Sequence, residues 1–199
     1  MDAVRVALLR EVLAGTEWLT ATRRFAGVLR GSVVAHGGGL LLLGTPEYEP
    51  WHLAAHLVDE AAWSGVPELA PTLVRHAARP TDPAHLAVGP ARIETARRGE
   101  TLLVVAPGDT EPLLERVHTA RRAGVTVLTL STTTDDALTA MAHETLTVPG
   151  TAELDLDTVQ HLVSAAAGEN GPSPRTHRRF RDRLTRLVET VTAPPPAPW

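Results

Sequence analysis

Apolar residues recur at intervals of three and four along residues 4–13 and again along 18–35, with Gly15 and Thr16 between the two stretches. That spacing predicts two amphipathic helices at the amino end. Gly37, Gly38 and Gly39 stop the second helix, and the pattern changes to a continuous run, Leu40 to Leu43, closed by Gly44. An unbroken apolar run of this kind reads as a short strand buried on both faces. From there on the two periods alternate. Helices are predicted over 51–63, 111–123, 135–142 and 155–167, and strands over 101–106, 125–130 and 145–148. The segment 65–74 carries Pro67 and Pro71 and is at most an edge strand. Asp82-Pro83 opens a further predicted helix over 82–98, interrupted at Gly89-Pro90.

Strands that alternate with helices of about ten residues require right-handed crossovers. The fold expected is therefore α/β: a three-layer, doubly wound parallel sheet of five strands in flavodoxin-like order, preceded by two N-terminal helices. The reading gives one domain over 1–167, with those helices inside 1–37. Residues 168–199 form an appendage of three parts: a linker in "GENGPSP", a basic amphipathic helix with Phe180, Leu184, Leu187, Val188 and Val191 on one side, and a proline-rich end. The basic helix is expected to dock on the acidic body or on a second subunit.

Composition narrows the chemistry. The chain has 199 residues, 43% of them hydrophobic and 21% charged, which suits a folded domain. It has no cysteine, so disulfides and thiolate chemistry are excluded. All 19 basic residues are arginine, which excludes Schiff-base and Walker-type lysines. Net charge is −4, and six arginines against three acids after residue 167 leave −7 on the body, a poor surface for nucleic acid. Asp2, Arg5, Arg10 and Glu11 interrupt the first turns, unlike a signal peptide, and no apolar run approaches the roughly 20 residues of a membrane span. A cytoplasmic protein without membrane or nucleic-acid partners is expected.

In a doubly wound sheet, ligands sit beyond the carboxyl ends of the strands. The loops to inspect are 44–50, 106–110 and 131–135. In the second, Pro107-Gly108-Asp109-Thr110 joins a strand directly to a helix, so backbone N–H groups and the helix N-terminus face outward and suit an anion such as phosphate. Thr110 is the predicted N-cap. The alternative is a plain strand-to-helix turn that holds nothing. A second candidate lies on helix 51–63, where His52, His56 and Glu60 stand at i, i+4 and i+8 and project from one side. Such a column suits a divalent metal, zinc for example, or an acid–base pair beside a pocket; the alternative is a polar helix face. His36 and His143 read as helix-end residues, and His85 and His118 as solvated helix positions.

The run "GETLLVVAPGDTEPLLERVHTARRAGVTVLTLS" resembles the central unit of SIS (sugar isomerase) domains, in which a Ser-Gly loop after a strand binds a sugar phosphate. "DDALTAMAHETLTVPG" is similar to the segment that follows in that family. "GGLLLLG" and "LAAHLVDE" resemble the first strand and helix of its phosphoheptose isomerase branch. The similarity spans residues 38–160. Glu60-Ala61 followed by "SGVPEL" is also similar to a second, uncharacterised bacterial branch.

The resemblance implies carbohydrate-derivative binding by Thr45, Gly108, Asp109, Thr110, Ser131, Thr132, Thr134 and Gln160. It assigns metal binding and proton transfer to His56 and Glu60, and it implies a homodimer or homotetramer built through helices. The departures bear on activity. Pro107 replaces the serine of the phosphate loop, removing a hydroxyl and an N–H donor. Glu47 and Glu49 stand in the first loop, where a phosphate requires an arginine or a metal to neutralise them. Gln160 matches a family glutamine, but the histidine expected eight residues later is Gly168, and His161 is displaced.

Three readings stay open: a sugar-phosphate binding protein with a sensing or regulatory role, no required cofactor and a degenerate catalytic site; an aldose–ketose isomerase with Glu60 as base and His52 or His56 as partner; and a non-catalytic structural module.

Overall fold

Five parallel strands lie side by side in the order β2-β1-β3-β4-β5. The computed structural model describes residues 11, 13–133, 137–148 and 154–169. In chain order the elements are α1 (Glu17–His36), β1 (Leu40–Leu43), α2 (Trp51–Ser64), a 3-10 turn (Pro67–Leu69), β2 (Pro71–Val74), α3 (Ala91–Glu94), β3 (Thr101–Ala106), α4 (Glu111–Arg122), β4 (Thr126–Ser131), α5 (Ala137–Met141), β5 (Glu144–Thr147) and α6 (Leu156–Gly168). The first predicted helix, apart from residues 11 and 13, and the appendage after residue 169 lie outside the described residues.

The pleat sorts each strand's side chains between two cores. Leu40, Leu42, Leu103, Val105, Leu128 and Leu130 face α1, α2 and α6, where Phe25, Leu29, Leu53, Leu57, Val159 and Val163 complete one layer. Leu41, Leu43, Leu102, Val104 and Val127 face the other side and pack with Ile93 of α3, Leu113 and Val117 of α4 and Leu138 of α5. Both faces are thus covered, which is why the strands read as apolar runs without alternation. The register runs in phase from Leu40↔Thr101 to Thr101↔Thr126. The chain reverses its winding between β1 and β3, so the topological switch point, where sheets of this kind hold ligands, lies at their carboxyl ends.

The predicted helix over 82–98 is reduced to the four residues of α3. The segment before it folds around Arg75 at the end of β2. The Arg75 N–H bonds Val88 O at 2.8 Å, and its guanidinium bonds Asp82 Oδ2 at 2.8 Å and Leu86 O at 3.2 Å. Asp82 also accepts the Arg79 N–H at 3.0 Å. These tertiary bonds and the prolines outweigh the local helical pattern.

Candidate functional site

The carboxyl ends of β1 and β3 carry the loops singled out above. In the first, Gly44 allows the chain to fold back tightly: a Cβ there would fall on the Tyr48 carbonyl. Thr45 is 1% exposed and its carbonyl accepts the Tyr48 N–H at 3.0 Å. Glu49, whose charge needed a counterion, has one in Arg75: Nε lies 3.1 Å from Glu49 Oε2, and the guanidinium sits 4.8 Å over the Trp51 ring. Trp51 Nε1 donates to the same carboxylate oxygen at 2.9 Å. The hydrogen bond that Arg75 donates to Glu49 raises the Arg75 pKa, so this positive charge is permanent.

In the β3–α4 loop, Gly108 and Asp109 are exposed and Thr110 is buried. Thr110 occupies the N-cap position, yet its side chain makes no capping bond. The cap comes from one residue earlier, where Asp109 Oδ1 accepts the Glu111 N–H at 3.0 Å. With φ −106° and ψ −11°, Thr110 already has near-helical backbone, which is unlike the extended backbone of a capping threonine. The helix end that would attract a phosphate thus faces a carboxylate of its own chain. Thr132 Oγ1 donates to Pro107 O at 3.0 Å and ties the loops after β3 and β4 together. Ser131 Oγ is spent within its own loop, on Thr133 O at 3.1 Å and the Thr133 N–H at 3.0 Å. Thr134 lies outside the described residues.

Helices α2 and α6 pack side by side and run the same way, because each starts beyond the carboxyl end of a parallel strand. There the structure assembles His52, His56 and His161. The ring centroids are 4.5 Å apart for His52–His56, 4.5 Å for His52–His161 and 4.4 Å for His56–His161. One ring nitrogen from each lies within 4.8 Å of the others. His52 is exposed, whereas His56 and His161 are 7% and 6% exposed. Both nitrogens of His56 are buried without a hydrogen-bond partner among the described residues. Burial, then the nearby His161 and His52, push its pKa from 6.5 down to about 4, partly offset by Asp59, so it is neutral at physiological pH.

Glu60, 3% exposed, does not belong to this histidine group. It lies against Gly168, where a Cβ would fall on its Oε2. Gly168, at the position where the resemblance implies a histidine, has no side chain to serve as a ligand. Gln160 is directed elsewhere: its Nε2 donates to Tyr48 Oη at 2.9 Å and Asp157 Oδ1 at 3.0 Å, while Tyr48 Oη donates to Asp157 Oδ1 at 3.1 Å. Burial raises the Tyr48 pKa, which keeps this hydroxyl a donor. Of the other histidines, His36 ends α1, and His118 is exposed on α4. His85 is exposed in a turn. His143 follows the end of α5, and its Nδ1 accepts the Val127 N–H at 3.0 Å. Arg75 and Tyr48 were not singled out by sequence reasoning, and His161 was set aside as displaced from the histidine position that the family resemblance implies.

No protein-family model and no curated protein matches the sequence. Solved structures do match. The sugar isomerase domain of the RpiR transcription factor from Sphaerobacter thermophilus aligns at TM-score 0.53 and 11% identity, over 92% of this chain and 96% of that one. A candidate sugar binding protein from Salmonella typhimurium LT2 aligns at 0.55 and 15%, over 94% and 53%. The NanR protein of Vibrio vulnificus, solved with ManNAc-6P, aligns at 0.52 and 14%, over 86% and 62%. At these identities the likeness is one of fold, and the fold is that of the sugar isomerase domain. The chain spans about half to three-fifths of the Salmonella and Vibrio chains it matches.

Proposed function

We propose that this chain binds a sugar phosphate or a related carbohydrate derivative at the carboxyl ends of β1, β3 and β4, as a sensing or regulatory module. The observation that carries the reading is the glycine-containing loop 107–110. It stands at the reversal of the sheet and runs straight into α4, with Gly108 at the surface and Thr110 buried beneath it. The fold likeness supports the same reading, since two of the matched proteins are the RpiR transcription factor and NanR with ManNAc-6P. A phosphate in this loop competes with Asp109 for the Glu111 N–H, which favours a modest, reversible affinity suited to sensing. The protein would act in the cytoplasm as a homodimer or homotetramer.

Calorimetric titration of the full chain with hexose and pentose phosphates and N-acetylmannosamine 6-phosphate tests this. Saturable binding is expected with at least one of them. Thr110→Val should weaken it about tenfold, the size of one lost hydrogen bond of about 1.4 kcal/mol. A flat panel from folded protein, or an unaffected Thr110→Val, overturns the assignment. Turnover is the second reading, favoured by the burial of Glu60 one helical turn after His56. It requires isomerisation that disappears in Glu60→Gln.

A further inference from the structure

We propose that His52, His56 and His161 form a binding site for one divalent cation of the zinc, cobalt or nickel class, a donor set in which Glu60 has no part.

Three imidazoles meet here from two helices, each ring touching the other two. A stack of rings held only by packing leaves open why a histidine 7% exposed should have neither nitrogen bonded. A buried imidazole normally satisfies at least one nitrogen, and leaving both without a partner costs free energy. A cation at the centre of the group removes that cost by taking one nitrogen from each ring. Around a metal with nitrogens at about 2.0–2.1 Å, tetrahedral ligands stand roughly 3.4 Å apart. The nitrogens already lie within 4.8 Å of one another, so small rotations about the side-chain torsions close the site.

Imidazole donors without thiolate favour zinc, cobalt, nickel or copper over magnesium or calcium. Three neutral ligands leave a fourth position, and the exposed edge at His52 opens it to solvent or to an oxygen donor from a ligand. His52 and His56 are one turn apart on α2, and His161 comes from α6, so the ion would bind the two helices to each other.

The test uses the full chain without a histidine tag, stripped with a chelator and titrated with Co²⁺. One equivalent should bind, with visible absorption bands of low-coordinate nitrogen-ligated cobalt that Zn²⁺ displaces. His161→Ala and His52→Ala should each weaken binding by more than the roughly 10–100-fold that loss of a supporting group costs. Glu60→Gln should leave it unchanged. His52 is exposed, so its variant stays informative if the buried substitutions fail to fold. Absence of stoichiometric binding to folded protein overturns the site, as does full binding by His161→Ala or loss in Glu60→Gln. Sugar phosphate titration of the metal-free protein is read separately, so failure of this site is distinguishable from failure of the ligand reading.

Discussion

The carboxylate of Glu60 lies in the space where a side chain on Gly168 would begin. Glycine is required there by a neighbour from α2, and no turn or positive φ is involved. Gly168→Ala should therefore cost about 1–3 kcal/mol, the usual range for overpacking a closed interior. The double variant with Glu60→Ala should lose less than the sum of the two single changes. Urea unfolding of the four proteins decides it, and strict additivity would show that the two residues do not share this space.

The carboxylate of Asp109 caps α4 in the loop assigned to the anion. Asp109→Asn keeps an acceptor for the Glu111 N–H but removes a like charge from beside the ligand. Affinity for a bound sugar phosphate should rise several-fold, while the helix loses about 0.3–1 kcal/mol of dipole stabilisation. Titration calorimetry and thermal melting measure the two effects. A fall in affinity would place the phosphate elsewhere.

His56 makes the metal-free protein sensitive to acid. Its folded pKa of about 4 lies below the unfolded 6.5, so between these values the unfolded chain binds a proton that the folded one refuses. Stability from this group is level above pH 6.5 and falls as the pH drops toward 4. Among the described residues, His161, His52 and Asp59 are the charged or titratable groups that act on the ring. Urea midpoints across pH 4–8 should show the loss, and His56→Leu should flatten it. An unchanged slope in that variant would assign the effect to other groups.

Arg75 holds Glu49, Asp82, the Leu86 carbonyl and the face of Trp51 at once. A lysine offers a point charge without the planar fork, so Arg75→Lys should lower the melting temperature almost as far as Arg75→Ala. Both should alter the Trp51 environment, read as tryptophan fluorescence against a Trp51→Phe control. Full rescue by lysine would reduce the role of Arg75 to charge alone.

β1 and β3 were legible to the residue because continuous apolar runs bounded by glycine or by polar residues leave little freedom. The helix over 82–98 was misread because its fate depends on Arg75, which no local window contains. Two of the three clustered histidines were visible, since His52 and His56 obey a helical spacing within one segment. That His161 would join them was not, because the packing of α2 against α6 is a tertiary fact carried by Leu53, Leu57, Val159 and Val163. The segment 107–110 does join a strand to a helix, but the cap expected from Thr110 comes from the carboxylate of Asp109 beside it.

Consecutive residues of α6 address two different structures: Gln160 grips Tyr48 in the β1–α2 loop, and His161 enters the ring cluster on α2. Neighbouring side chains on an α-helix diverge by about 100°. One rigid helix thus carries both contacts, so any displacement of α6 about its axis would shift the loop contact and the ring contact together.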